Sequence, residues 1–385
     1  MFILKLLFKN AFRHKLRTGL TILGITIAVL AFGLLRTVIT TWYMGVEASS
    51  ANRLWTRNAV SLVFSLPISY KEKIRQVDGV KFVSHATWFG GVYVDEKNFF
   101  ANFAVDPETY LDAMSEYYVP PEERKSLLRD RKGAIAGRKL ANRFGWKIGD
   151  TIVLKGTIYP GTWEFVLRGI YRGTRKDADE TVFFFQWDYL NETLKKTAPS
   201  RADQVGAFIE VVKDSNAAAA VASRIDATFK NSLAETLTET EKAFVLGFIS
   251  MSETIITAIQ LVSLVVIAII LAVVGNTMAM TARERIGEYA VLKTLGFGGW
   301  RIAGLIVGES LVITCSGCLV GILLSFPTAN AFGKALEQYF PAFNVTLKTI
   351  YLDIGASLIV AFIAAIIPTW RAIKTPIADG LRRIG

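Results

Sequence analysis

The sequence predicts an α-helical membrane protein: four transmembrane helices plus an α+β external domain on a helical stalk. Three observations carry this. Four long apolar runs are free of charge, basic residues crowd around their ends on one side, and a 206-residue stretch between the first two runs has the composition of a mixed α/β domain. The 385 residues are 52% hydrophobic and only 20% charged, with a mean hydropathy of +0.36. That excludes disordered and collagen-like chains, and two cysteines exclude a disulfide framework.

A helix needs about 20 mostly apolar residues to cross a bilayer. Residues 19–35, 254–282, 310–333 and 354–370 are uncharged. The first run extends past Arg36 towards Met44, and the last extends back across Asp353 to residue 349. The first run exceeds the apolar core of a signal peptide, so an uncleaved helix is expected. The segments expected to lie inside carry 13 basic and 3 acidic residues, whereas residues 43–248 carry 28 and 26. Nearly all of the net charge of +11 is therefore topological signal, and nucleic acid is not an expected partner. The bias places both termini and the loop after the second run in the cytoplasm, and residues 43–248 outside.

The expected order follows. Residues 1–18 form a cytoplasmic amphipathic helix, with Lys5, Lys9, Arg13 and Arg17 every four residues facing the lipid surface and Leu4, Phe8 and Phe12 beside them. Residues 19–55 are transmembrane helix 1 and a stalk, 56–235 the external domain, 236–282 a second stalk and helix 2. Residues 283–301 are a cytoplasmic loop, 302–333 helix 3, 334–348 a short external loop, 349–370 helix 4 and 371–385 the tail.

Within the external domain, strands are expected at 59–66, 81–87, 133–136, 151–154, 164–171, 181–186 and 207–212. Residues 91–94 and 99–105 read as a hairpin around 95–98. A helix at 69–76 carries a capping box of Ser69 with Glu72. Further helices are expected after Asp106 and Pro107, at 120–131, and at 216–230 behind a cap at Ser215 or Asn216. Residues 107–205 would form an outer lobe.

Catalytic signals are weak. Gly156 and Gly161 have P-loop spacing, but Thr162 and Trp163 stand where Lys and Ser/Thr are required. His14 and His85 have no ligand cluster beside them. Cys315-x-x-Cys318 lies in an apolar run, where thiols pack rather than react. Gly317-x-x-x-Gly321 and Gly304-x-x-x-Gly308 have the spacing of close helix contacts, and Gly24, Gly33 and Gly275 are further candidates. Glu309 lies either at headgroup level or buried against a polar partner. In residues 281–296, Ile286, Tyr289, Leu292 and Leu295 form an apolar ridge behind Arg283, Glu284, Arg285 and Glu288, and Gly296 ends the helix. Such a helix either docks into a groove of a partner or rests on the headgroups.

Asn276-Thr277-Met278 followed by Arg283-Glu284-Arg285-x-x-Glu288-x-x-x-Leu292-Lys293-x-Leu295-Gly296 resembles the loop of MacB/FtsX/LolC-type ABC transporter permeases, the mechanotransmission (type VII) family. His14-Lys15-Leu16-Arg17-Thr18 and Pro368-x-x-Arg371-Ala372-x-Lys374-x-Pro376 are similar to its first helix and its C-terminus. Pro67, Asp78-Gly79-Val80 and Gly149-Asp150 fit its external domain. The resemblance implies porter-like and sabre-like lobes, a homodimer or a pair with a paralogous permease, and a bacterial inner-membrane location with the large domain periplasmic. It implies that residues 283–296 are the coupling helix contacting an ABC ATPase subunit on another polypeptide. That partner would bind ATP and Mg, and this chain no cofactor and no metal. A membrane-fusion adaptor and an outer-membrane duct are among the partners it implies. The expected role is a non-catalytic permease subunit driving export or extraction. The alternatives are an FtsX-like signalling protein controlling an external cell-wall hydrolase, or a membrane-anchored external enzyme. The cargo stays open.

Overall fold

The computed structural model describes residues 2–175, 178–335 and 343–378. In chain order the elements are α1 (Phe2–Ala11), α2 (Lys15–Ala48), β1 (Arg53–Asn58), β2 (Leu66–Pro67), α3 (Tyr70–Arg75), β3 (Val80–Trp88), β4 (Gly91–Tyr93) and β5 (Asn102–Val105). Then come α4 (Tyr110–Ala113), β6 (Tyr117–Tyr118), α5 (Pro121–Arg129), β7 (Gly133–Gly137), α6 (Arg138–Phe144), β8 (Thr151–Gly156), β9 (Gly161–Gly173), β10 (Phe183–Gln186) and α7 (Trp187–Thr197). The chain continues through β11 (Gln204–Val205), β12 (Ala207–Val212), α8 (Ala218–Thr228), β13 (Thr236–Thr240) and α9 (Glu241–Ser250). It ends with α10 (Glu253–Glu284), α11 (Ile286–Thr294), α12 (Gly299–Ala335) and α13 (Leu347–Lys374). These form two compact units, one on Met1–Trp42, Ser252–Ala335 and Phe343–Gly385, the other on Tyr43–Met251.

The helical unit contains four helices long and apolar enough to cross a membrane: α2, α10, α12 and α13. Small residues let them meet. A Cβ on Gly317 would lie 2.7 Å from the Ile25 side chain, and one on Gly321 2.9 Å from Val29. Gly308 meets Leu7 in the same way, and Gly24 makes an ordinary contact with Val273. Gly275, expected to serve such a contact, has nothing within 4 Å, and neither has Gly304. Polar groups add cross-links: Ser310 Oγ donates to the Ala361 carbonyl at 2.9 Å, and Thr21 and Thr277 hydroxyls lie 3.1 Å apart. Asp353 is 2% exposed and aimed at Gly33, where a Cβ would come 3.1 Å from Oδ2. Cys318 is buried with its Sγ 3.9 Å from the Asp353 carbonyl, and neither cysteine forms a disulfide.

The second unit is α+β. Among the described residues, a sheet runs in the order β13-β1-β12-β3-β5-β10-β7-β9-β8-β4, with β6 beside β9. Its pairs are antiparallel except β5 with β10 and β7 with β9. Alternate side chains feed two cores: Leu54, Val83 and Phe208 on one face, Ala86, Ile209, Val211 and Phe184 on the other. The first core holds two unusual groups. Glu210, opposite Leu54 and Val83, is fully buried near the Thr56 hydroxyl, and neither carboxyl oxygen makes a hydrogen bond of normal geometry among the described residues. His85 is buried edge-on to Trp187, with Asp106 3.8 Å away.

Several local expectations are corrected. Residues 59–65 are not a strand: β1 precedes them, and they form a turn exposing Val60, Val63 and Phe64. Residues 91–105 are not a hairpin, because β4 pairs with β8 while β5 pairs with β3 and β10. Ser69 precedes α3 without a side-chain cap bond, and Asp214 caps the turn before α8 in place of Ser215 or Asn216. Helix α2 ends at Ala48, short of the expected Trp55, because Arg53 starts a strand. Residues 236–253 are not one helix but β13, α9 and a break at Met251 and Ser252.

Candidate functional site

The expected coupling residues gather at the basic end of the helical unit. Helix α10 ends at Glu284, Arg285 leaves helical geometry, and α11 runs for nine residues. Gly296 then adopts φ +87°, a conformation that favours glycine. The Phe297 and Gly296 amides donate to the Leu292 and Lys293 carbonyls, both at 3.0 Å, closing the helix with a Schellman motif.

Charged side chains stitch α11 to its neighbours. Arg285 donates to Glu288 and to the buried Glu309 of α12, both at 2.8 Å. Arg13 also donates to Glu288, and Arg17 clasps Glu284 at 2.7 and 2.9 Å. Burial works against ionisation of Glu288, but hydrogen bonds from Arg285 and Arg13 outweigh it and hold its carboxyl below the ordinary range. Lys293 Nζ donates to the carbonyls of Ala372, Ile373 and Thr375 at 3.0, 2.8 and 2.8 Å. It thereby fills the C-terminus of α13, where unpaired carbonyls and the helix dipole favour a cation.

This changes the roles expected of several residues. Arg13 and Arg17, expected on the lipid surface, are partnered by Glu288 and Glu284; Lys9 remains exposed. The side chain of Lys5, residues 336–342 of the expected short external loop and residues 379–385 of the tail lie outside the described residues. The apolar ridge is divided. Tyr289 is 3% exposed, with burial pushing its phenol up to about 12, and Ile286 and Leu292 are half-buried. Leu295 faces outward at 70% exposure. The apolar surface presented here comprises Leu295, Val291, Phe297 and Trp300, the last 89% exposed. Sequence reasoning missed Val291, Phe297 and Trp300, although an unburied Trp in a basic loop was a readable signal.

Four apolar helices and a separate α/β unit define a multi-pass membrane protein with a substantial domain outside the bilayer. Residues 18–228 match the MacB-like periplasmic core domain, and residues 261–377 match the FtsX-like permease C-terminal region. The chain belongs to this MacB/FtsX family of ABC transporter permeases.

An uncharacterized ABC transporter permease of Methanocaldococcus jannaschii is 26% identical over 94% of this chain and 91% of its own length. The ABC transporter permease YtrF of Bacillus subtilis is 30% identical over 30% of each chain. Among solved structures, the extracellular domain of the ABC-type transporter YknZ from Gram-positive bacteria is 13% identical, covering 49% of this chain and all of that one at a TM-score of 0.36. The periplasmic region of MacB from Actinobacillus actinomycetemcomitans is 9% identical, covering 53% and 95% at 0.38.

Proposed function

We propose that this permease transmits motion from a separate ABC ATPase to its external domain, which then exports or extracts a substrate. ATP and Mg would belong to the ATPase. The bias of basic residues supports placing α11 and both termini in the cytoplasm and residues 43–248 outside; the membrane would be a bacterial inner membrane. Residues 283–296 are then the coupling segment.

The observation that carries this reading is the dual character of the segment around α11. It is fixed to the long helices through Arg285–Glu309 and the Lys293 cap. Its outer face is Val291 of α11, Leu295 and Phe297 in the turn after it, and Trp300 at the start of α12, all exposed. A load applied to the outer face is passed to α12 and α13 through short charged bonds rather than absorbed by a loose loop. Two permeases acting as a homodimer or with a paralogue would give each of two ATPase subunits one such lever.

The test is co-purification of the co-expressed ATPase with the full chain carrying Val291→Asp and Leu295→Asp. Both side chains are exposed, so the fold is expected to survive. Retention should fall at least tenfold while the thermal midpoint of the permease is unchanged. Undiminished retention refutes the assignment of the coupling segment.

A further inference from the structure

We propose that the basic end of the helical unit holds the headgroup of an anionic phospholipid in a cavity between α10 and α13. The cavity is open on one side and has a volume of about 780 Å³. It is lined by Asn276, Met280 and Arg283 from α10 and its end, and by Trp370, Arg371 and Lys374 from α13.

The charges fit one kind of ligand. Arg283, Arg371 and Lys374 contribute three cations, and among the described residues no carboxylate lines the space. The nearby acids are already committed, Glu284 to Arg17 and Glu288 to Arg13 and Arg285. Among the described residues, Arg283 and Arg371 make no ion pair, and Lys374 Nζ lies 4.4 Å from the centroid of the Trp370 ring. Three cations converging on one hollow, uncompensated, lower the free energy of a bound phosphodiester and repel one another without it.

The walls indicate that the phosphodiester carries acyl chains. Trp370 is 57% exposed at the end of a transmembrane helix, where aromatic side chains sit at headgroup depth. One to two turns further into α13, Ile366 and Ile367 are each 60% exposed, and Met280 of α10 is 51% exposed. An apolar track thus leads from the cations along the helices, which suits a lipid and offers nothing to a free phosphate. Basic pockets between helix ends are a recurrent form of anionic-lipid site. Asn276 and Thr375 add neutral hydrogen-bonding groups for the glycerol end.

The experiment is native mass spectrometry of the detergent-solubilised full chain titrated separately with dioleoylphosphatidylglycerol, dioleoylphosphatidylcholine and inorganic phosphate. The natural sequence should half-saturate with phosphatidylglycerol at a concentration at least tenfold below phosphatidylcholine, and inorganic phosphate should not compete at millimolar concentration. In the variant Arg283→Gln, Arg371→Gln, Lys374→Gln the preference should fall below twofold. Arg283→Lys with Arg371→Lys, which keeps the charge, should retain it. Arg301→Gln, which removes basic charge outside the cavity, should leave it within twofold of the natural sequence.

Equal retention of the two lipids overturns the proposal, as does a surviving preference in the triple Gln variant or full competition by inorganic phosphate. If the triple Gln variant keeps its lipid preference but loses a co-purifying acidic protein, the cavity docks protein instead and the proposal fails.

Discussion

Replacing Glu210 with Gln tests the strangest choice in the external unit, an acid in the middle of a sheet. Its neighbours across the ladder are Leu54 and Val83, it is fully buried, and burial pushes its pKa from 4.5 up to about 8. A pKa raised in the folded state means that folding takes up a proton. The associated stability is complete below the unfolded value of 4.5 and is lost as pH rises through about 8. Each tenfold change in an acid dissociation constant is worth about 1.4 kcal/mol. The carboxyl therefore costs the folded state about 3 kcal/mol between pH 5 and pH 8, or roughly 6–12 °C in thermal midpoint for a domain of this size.

His85, on the same core, has the opposite sense. Burial lowers its pKa to about 4, so its contribution is complete above the unfolded value of 6.5 and is lost as pH falls through 4. Between pH 4.5 and 6.5 the two slopes cancel, and the Glu210 loss is uncovered above pH 6.5. The assay is thermal unfolding of the full chain in detergent, followed by tryptophan fluorescence, at half-unit steps from pH 5 to 8.5. Relative to Glu210→Gln, the natural chain should lose stability steadily up to about pH 8. Parallel curves would show that Glu210 is ionised or solvated in the folded protein, and the reasoning would be wrong.

Two further outcomes concern the helical unit. Gly317→Val should cost about 1–3 kcal/mol or abolish folding, since a Cβ there lies 2.7 Å from Ile25 and 3.1 Å from the Ile22 carbonyl, whereas Gly275→Ala, in open space, should be neutral or stabilising; detergent melts of the two compare them directly. Lys293→Met strips three carbonyls of their shared cation and should lower stability by about 1–3 kcal/mol, with faster hydrogen exchange in the last turn of α13 than elsewhere in that helix.

The membrane helices were legible because lipid imposes a one-dimensional rule on a sequence, a long run without charge. The central strands were legible where β-rich segments are bounded by turns, as in β9 and β12. Pairing was not, because hydrogen-bond partners are chosen by three-dimensional topology: β4 and β5 are sequence neighbours yet belong to different parts of the sheet. The same limit applies to the site. The spacing of residues 283–296 showed a short helix with charge at its start, but the Arg13–Glu288 pair joins positions 275 residues apart. No local periodicity reports such a bond, so Arg13 read as a lipid-facing cation. A ridge drawn on a helical wheel likewise shows which residues share a stripe, not which end of the stripe a neighbouring helix covers. That is why Tyr289 is interior while Leu295 is not.

In the ladder of β1 with β13, Leu54 stands opposite Thr240. Arg53 rivets the same spot, its guanidinium holding Glu241 at 3.0 Å and Glu116 at 3.0–3.2 Å. Nearly two hundred residues therefore leave the chain and return to it within one rung of the ladder. An unrelated domain whose own termini are adjacent should be exchangeable at that rung while the four long apolar helices are left alone.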